Sequence, residues 1–243
     1  MQQYVARGVH GQTVEVLAQR ILTGQLAEGA TLDITALQSE FAVSLTVLRE
    51  ALRVLAAKGM VDARPKRGTF VRPRSDWSLL DGDVLRWQFA RQVRPSLFED
   101  LHELRSIVEP GAASLAAARA TDEDLAALDA ALAEMAAAGP DPAAADAADL
   151  AFHPALLAAT HNELLLRMEI LIETGLAERD RMVHGAAGPR DPVPSHRAVT
   201  EAIRRHQPGQ AARAMGKLLE QAIEDVAKLE SAKLEKRAPG EDR

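Results

Sequence analysis

The sequence of 243 residues contains no cysteine, and this absence removes several kinds of chemistry at once. It excludes disulfide bonds, thiolate metal ligands and a thiol nucleophile. Aromatic residues make up only 3% of the chain, although 47% of it is hydrophobic. Much of that hydrophobic fraction is alanine, which has the highest helix propensity, so the composition favours helices over sheets.

Long hydrophobic runs are also missing. No apolar run approaches the roughly 20 residues that a membrane-spanning helix needs. Met1 is not followed by the basic and then apolar segment of a secretory signal. These two absences predict a soluble cytoplasmic protein with no membrane partner. The length of the chain fits two domains.

The chain as a whole lacks positive charge, since its net charge is −6, but the charge is unevenly distributed. Residues 1–75 contain ten Lys and Arg against six Asp and Glu, whereas residues 76–243 contain nineteen against twenty-nine. A basic region followed by an acidic remainder is typical of a DNA-binding module attached to a domain that avoids DNA. Chance unevenness is the alternative explanation.

The basic region has the pattern of a winged helix-turn-helix. Apolar residues at helical spacing predict helices over 13–23, 34–41 and 45–58, with Ser44 capping the third. The second and third helices meet across a short turn, which is the helix-turn-helix arrangement. Residues 60–71 (MVDARPKRGTFV) then predict a β-hairpin with cations at its tip, suited to phosphate contacts. Each piece alone could be a solvated charged segment, and their order is what indicates DNA binding.

The rest of the chain is predicted to be helical. A linker is expected over residues 73–78, and it separates a DNA-binding domain over 1–72 from a helical effector-binding and dimerisation domain over 79–236. The last residues, 237–243, are expected to be a charged tail. The predicted fold class is therefore mainly α, with a winged helix-turn-helix followed by an all-α helical bundle.

Residues 43–71 (VSLTVLREALRVLAAKGMVDARPKRGTFV) resemble the GntR family of bacterial transcription regulators. The segments ELRSIVEPGAASLAAARAT, DLAFHPALLAATHNELL and SHRAVTEAIRRHQPGQAARAM are similar to the helical FCD effector domain of the FadR-type branch. The segment WSLLDGDVLRWQ further resembles a subgroup that responds to sugar acids such as galactonate. The resemblance implies a homodimeric transcription regulator, a repressor, that binds a double-stranded DNA operator and is controlled by a small organic acid.

The resemblance also implies which residues contact DNA. In the family, the helix that starts at Ser44 reads the major groove and the hairpin contacts the neighbouring minor groove or backbone. The outward face of the predicted helix adds Arg53 to this set. The expected DNA-binding residues are Ser44, Thr46, Arg49, Arg53, Lys66, Arg67 and Gly68. Leu45 stands where the family commonly has arginine, so the operator preference is expected to differ from that of relatives.

A candidate metal site lies in the helical part. Asp149 and His153 are four residues apart and share one face of a predicted helix, and His196 opens a later helix. A carboxylate and imidazoles that converge in a helical bundle can bind Zn²⁺ or a similar divalent ion. The resemblance implies a further histidine ligand where this chain has Leu218, so we expect three protein ligands and a lower affinity. Hydrogen bonding within the core, without metal, is the alternative. Pro154 is expected to kink the helix beside the site or to be compensated locally.

A sugar acid carries one carboxylate and therefore needs a cation in its pocket. Arg105 matches a position where the family often has an inward arginine, and a planar guanidinium suits a carboxylate. Its alternative role is an ion pair with Glu109, four residues further on. Asn162 matches a pocket-lining position, but it could instead cap the helix that starts there. Arg179 and Arg181 are weaker candidates.

Two other functions are open from the sequence. The first is a metal-dependent enzyme on a helical fold that uses the same aspartate and histidines, although it leaves the N-terminal region unexplained and lacks an evident general base. The second is an interaction protein without a small-molecule ligand. The prediction that accounts for the whole chain is a non-enzymatic, ligand-responsive regulator.

Overall fold

The computed structural model describes residues 8–89, 95–139, 141–174, 176 and 191–237. It divides into two compact units, residues 1–94 and 95–243. Helices predominate in both units, and a small sheet of two strands lies in the first. The prediction of a winged helix-turn-helix followed by a helical domain is confirmed. Among the described residues, no helix combines the length and apolar character needed to cross a bilayer.

The first unit contains four α-helices and the hairpin within its described part. The elements are α1 (Gly8–Leu22), α2 (Ile34–Phe41), α3 (Leu45–Ala57), β1 (Val61–Arg64), β2 (Gly68–Val71), a 3-10 helix (Arg74–Asp76) and α4 (Gly82–Phe89). The two strands are antiparallel, with Val61 opposite Val71 and Arg64 opposite Gly68. Helix α1 begins five residues earlier than the apolar spacing predicted.

Local capping explains the tight turn between α2 and α3. The side chain of Asp33 accepts a hydrogen bond from the backbone N–H of Ala36, and Ser44 accepts one from Val47. Both caps stabilise N–H groups that have no partner inside the helix. Between the two helices, Ala42 adopts a left-handed conformation with φ 51° and ψ 41°. The chain therefore reverses within a few residues, as the sequence predicted.

All four described α-helices of the first unit contribute residues to its apolar core. Val14, Leu17 and Ala18 of α1 pack with Leu48 and Leu52 of α3 in one apolar cluster. The other buried members include Met60, Val61, Val71, Trp77, Val84 and Trp87. Because the hairpin and α4 share this cluster with α3, the outward face of α3 is held in a fixed relation to the hairpin.

The structure differs from the sequence-based division at residues 73–89. This segment was expected to contain a linker and the start of the effector domain, but it packs within the first unit. Trp77 is buried, and its indole N–H donates to the carbonyl oxygen of Arg72. Lys58, at the end of α3, forms ion pairs of 2.7 Å with both Asp81 and Asp83. These contacts attach α4 to the first unit, and the spacing of apolar residues could not reveal them.

The second unit is a bundle of helices. Its elements are α5 (Pro95–Arg119), α6 (Asp122–Ala138), α7 (Pro142–Ala158), α8 (Glu163–Leu166), a helical stretch α9 at residues 169–174, α10 (Val193–Arg204) and α11 (Pro208–Arg237). Helix α5 packs against α7, α10 and α11, and α6 packs against α7 and α10. Helices α8 and α9 are separated by a turn at residues 167–168.

Two local features of the bundle bear on the site. Thr121 and Asp124 form a reciprocal capping box that starts α6. Helix α7 continues through Pro154, although proline removes one backbone hydrogen bond from a helix. Asp149 and His153 therefore remain one turn apart on the same helix.

The bundle has an apolar core with a polar cluster beside it. Phe152, Leu156, Val199 and Met215 belong to the main apolar cluster, and so does Leu218, which is 3% exposed. The buried polar and charged residues of the unit are Arg105, Glu109, Asp149, His153, Thr160, His196 and Thr200. Burying charged groups costs free energy unless they are paired, so this cluster is a candidate functional site.

Candidate functional site

The first candidate surface is formed by α3 and the hairpin tip. Thr46, Arg49 and Arg53 are exposed on α3, and Ser44 is exposed at its start. Arg53 forms an ion pair of 2.5 Å with Glu50, whereas Arg49 has no ion pair with any residue that the structure describes. An exposed arginine on an amphipathic helix can contact base edges or phosphates. The spacing of the sequence placed these residues on the outward face, and the structure places them there.

The hairpin tip holds the other predicted DNA-binding residues. Lys66 is exposed and has a positive φ of 67°, and Gly68 has a φ of 80°. The guanidinium of Arg67 lies 3.5 Å from the ring centroid of Phe70 and donates a hydrogen bond to the carbonyl oxygen of Gly29. The tip is therefore cationic, and Arg67 is held by a cation–π contact with β2 and by a hydrogen bond to the loop between α1 and α2.

The second candidate site is the buried cluster between α5, α7 and α10. Asp149 and His153 come from α7, and His196 comes from the first turn of α10. One ligand atom from each of these residues lies within 4.8 Å of the others, and all three residues are buried. The three residues predicted as metal ligands are thus brought together, although His196 is 43 positions beyond His153 in the sequence.

The contacts of both histidines turn one ring nitrogen of each toward Asp149. Nδ1 of His153 lies 2.6 Å from Oε2 of Glu109, and Nδ1 of His196 lies 2.9 Å from the carbonyl oxygen of Pro192. In both rings the other nitrogen, Nε2, faces Asp149, at 3.8 Å and 2.9 Å from its Oδ1. Metal-binding histidines commonly donate one ring N–H to a carboxylate or carbonyl in this way, which leaves the other nitrogen for the metal.

The donor set fits a divalent ion of the zinc type. In a tetrahedral zinc site the metal–ligand distances of about 2.0–2.1 Å place neighbouring ligand atoms roughly 3.3 Å apart. The separations of 2.9 Å and 3.8 Å from the oxygen of Asp149 lie on either side of that value. Two imidazole nitrogens and one carboxylate form a three-ligand set of the kind that leaves further coordination positions open. Leu218 supplies no ligand because its side chain has no donor atom, and it packs in the apolar cluster.

Arg105 lies beside this group and is also buried. Its Nε is 2.5 Å from Oε1 of Glu109, and its terminal nitrogen is 3.5 Å from Nε2 of His153. The ion pair that the sequence offered as an alternative role for Arg105 is therefore present. This ion pair lies in the interior, where Glu109 is fully buried. Through Glu109, it connects Arg105 to His153 of the candidate metal site.

The charges of this cluster shift the ionisation of its members. Burial alone would raise the pKa of Glu109, but His153 and Arg105 outweigh that effect and lower it from 4.5 to about 2. Burial would lower the pKa of His153, but Glu109 and Asp149 raise it above its ordinary value. Glu109 is therefore a carboxylate at neutral pH, able to accept from both Arg105 and His153.

Glu109 is the site residue that sequence reasoning missed as a functional group. Its spacing of four residues from Arg105 signalled the ion pair, but nothing local signalled its contact with His153 on another helix. Asn162, predicted to line the pocket, accepts hydrogen bonds from the backbone N–H groups of Leu164 and Leu165 and caps α8. The capping role offered as its alternative is thus observed, and effector binding by Asn162 stays a prediction. Arg179 and Arg181 lie outside the described residues.

Two sequence families match this chain in the same order as its two units. Residues 10–71 match the gntR family of bacterial regulatory proteins, and residues 100–221 match the FCD domain. The chain therefore belongs to the GntR family, in the branch that carries an FCD domain. It is a DNA-binding transcription regulator, and its relatives are regulators and not enzymes.

Curated relatives agree with this assignment. The galactonate operon transcriptional repressor of Escherichia coli is 39% identical over 203 residues, which cover 82% of this chain and 88% of that protein. The regulator LutR of Bacillus subtilis is 35% identical over 63% of this chain and 71% of its own length. A solved structure, that of Lar, which controls the agr system of Listeria monocytogenes, has a TM-score of 0.62 and 18% identity and covers 94% of this chain and all of that one. At that identity the likeness supports the fold alone.

Proposed function

We propose that this regulator is a homodimeric repressor that releases its operator when a small organic acid, of the sugar-acid class, binds in the helical unit beside a divalent metal ion. The observation that carries the proposal is the buried Arg105 next to the group of Asp149, His153 and His196. A guanidinium in a low-dielectric interior attracts a carboxylate strongly.

The metal and the acid have complementary roles in this proposal. The residues that would hold the ion are Asp149, His153 and His196, and a bound divalent cation would supply open coordination positions for a carboxylate or hydroxyl oxygen. Arg105 would bind the acid's carboxylate, and Glu109 keeps Arg105 and His153 in place through its two oxygens. The likeness to the galactonate operon repressor supports an acid of the aldonate type.

The regulatory step requires two states of the dimer. A two-fold symmetric dimer presents two α3 helices to two half-sites of an operator. An effector weakens DNA binding only when it binds the DNA-incompetent arrangement more tightly than the competent one. Repression is the direction that the likeness to the galactonate operon repressor supports for this chain, and release by the acid is part of this proposal.

A thermal-shift experiment tests the effector site. The full chain is loaded with zinc and mixed with galactonate, gluconate or galactose, where galactose is the matched control without a carboxylate. We expect the two acids to raise the melting temperature and galactose to leave it unchanged, because stabilisation requires binding to the folded state. A chelator should reduce the shift. No shift with any acid, with or without zinc, would favour a regulator that has no small-molecule ligand.

Two arginine variants sharpen this test. Arg105→Lys keeps the charge but loses the planar, two-pronged donor, so the shift with galactonate should shrink. Arg204→Lys is the matched control, because Arg204 is an exposed arginine of the same unit that pairs with Asp129. A full galactonate shift in Arg105→Lys would contradict the assignment of the carboxylate to this arginine.

DNA binding is tested separately by footprinting at the protein's own promoter, with and without galactonate. We expect a footprint that the acid removes. Arg49→Ala should abolish the specific footprint while leaving the melting temperature and the galactonate response intact, since Arg49 is exposed. Loss of folding in Arg49→Ala would instead assign it a structural role, and a footprint unaffected by every acid would remove the proposed regulation.

A further inference from the structure

An apolar residue, Leu45, stands at the exposed start of α3. Leu45 is the first residue of the helix, and the residue is 36% exposed. The other large apolar residues of α3 are packed into the core of the unit: Val47, Leu48, Leu52, Val54 and Leu55. Leu45 is neither a member of that core cluster nor one of the partly buried residues packed against it.

The position of Leu45 places it among the residues proposed to face DNA. Residues four apart lie on one face of a helix, so Leu45 stands one turn before the exposed Arg49. Ser44 and Thr46, its neighbours in the sequence, are exposed as well. Ser44 caps α3, so this first turn has a fixed conformation before DNA arrives.

The major groove offers one prominent apolar group to such a side chain. Base edges there present hydrogen-bond donors and acceptors, and thymine adds a C5-methyl group that apolar side chains contact. A leucine cannot bond to a polar edge or a phosphate, and it would leave those groups without a partner on desolvation. Contact with a thymine methyl removes apolar surface of both groups from water.

We propose that Leu45 is a specificity-determining residue that reads a thymine C5-methyl group in each half-site of the operator. The inference rests on the proposed DNA-binding surface of α3. Arg49, one turn further on, supplies the polar contact on the same face. Helix α3 therefore combines one apolar and one cationic residue that contact bases. The proposal requires a thymine next to the base pair that Arg49 contacts.

The test removes the methyl group from the DNA without changing anything else. High-affinity duplexes are first selected from a random pool with the full chain in the absence of any acid. Each thymine of the selected duplex is then replaced in turn by uracil, and dissociation constants are measured at one fixed salt concentration. We expect uracil at one position of a half-site to weaken binding by about fourfold, from the loss of one buried methyl group.

The Leu45→Ala variant completes a double-mutant cycle with the uracil duplexes. It should bind the thymine duplex more weakly than the wild-type chain does and should no longer distinguish thymine from uracil at that position. Leu80→Ala is the matched control, since Leu80 is a 71% exposed leucine of the same unit outside α3. It should keep the full sensitivity to uracil, and circular dichroism should show both variants folded.

The outcomes separate this inference from the proposed function. Equal uracil sensitivity in the wild-type chain and Leu45→Ala, or no sensitivity at any thymine, overturns the role of Leu45 while specific DNA binding stands. Failure to enrich any duplex from the pool removes the proposed DNA-binding surface itself, and the inference with it. Enrichment of duplexes without a fixed thymine also overturns the role of Leu45.

Discussion

Within the residues that the structure describes, each unit contains a buried cluster of charges, and the two clusters differ in the chemistry of their cations. In the DNA-binding unit, the ammonium group of Lys58 lies 2.7 Å from carboxylate oxygens of both Asp81 and Asp83. In the helical unit, Asp149 faces two imidazole nitrogens. An ammonium group has donors and no lone pair, so Lys58 cannot ligate a metal and instead pairs with both carboxylates. Imidazole nitrogens have lone pairs, so the second can.

The difference teaches that buried charge alone does not identify a functional site. The cluster around Lys58 holds α4 against α3, and its positive and negative groups satisfy one another. The cluster around His153 is held from outside by Glu109 and by the carbonyl of Pro192, so that its ligand atoms converge on a common space. The orientation of lone pairs, more than the degree of burial, separates the structural cluster of Lys58 from the candidate metal site.

The largest effect that would test this comparison comes from the structural cluster. Lys58→Met removes the ammonium group shared by two carboxylates, and breaking a buried ion pair from one side costs about 3–5 kcal/mol. We expect chemical denaturation to show the loss in the DNA-binding unit, together with weaker operator binding. Zinc binding by the full chain should not change. Lys228→Met, which alters a lysine that is 63% exposed, is the control and should cost less than about 1 kcal/mol.

The next effect concerns the metal site. Glu109→Gln leaves one oxygen acceptor where Arg105 and His153 need two, so His153 loses its fixed orientation. We expect zinc affinity, measured by competition with a chromophoric chelator, to fall by about 10–100-fold. Glu103→Gln, an exposed residue of the same helix, should retain wild-type affinity. Unchanged zinc binding in Glu109→Gln would show that this carboxylate has only a structural role, as the ion pairs of Lys58 do.

The pH dependence of the metal-free helical unit gives a smaller effect. The pKa of Glu109 is lowered to about 2, so its stabilising contribution is complete above its ordinary value of 4.5 and is lost as the pH falls toward 2. The pKa of His153 is raised above 6.5, so its contribution is complete below 6.5 and is lost as the pH rises through the raised value. In urea unfolding with chelator present, the stability lost in Glu109→Gln should be greatest at about pH 5–6. A loss that does not vary with pH would show that packing, and not charge, is what Glu109 contributes.

The smallest effect lies in the turn between α2 and α3. Ala42 has a φ of 51°, a left-handed conformation in which a Cβ atom costs roughly 1 kcal/mol. Ala42→Gly should therefore stabilise the DNA-binding unit by somewhat less than about 1 kcal/mol, because glycine also gains entropy in the unfolded chain. A melting temperature that rises without a change in zinc affinity would confirm that the two units respond separately. A lower melting temperature would mean that the methyl group of Ala42 contributes packing that outweighs its strain.

Local sequence determined much of this fold. The capping residue Ser44 acts on a backbone group within three positions, so it could be identified from the local sequence alone. Helical periodicity likewise separated the buried face of α3 from the face that carries Arg49. The bounds of α2, Ile34–Phe41, agree with the prediction because its signals are all local.

Tertiary structure decided the features that join distant parts of the chain. The ion pairs of Lys58 with Asp81 and Asp83 bring the segment after residue 72 into the first unit, and the contact of Glu109 with His153 connects two helices. No periodicity in the sequence encodes such contacts, because the free energy of pairing two charges depends on their distance and burial after folding. The sequence could therefore name the candidate ligands Asp149, His153 and His196, but their common space and the carboxylate that orients it depend on how α5, α7 and α10 pack.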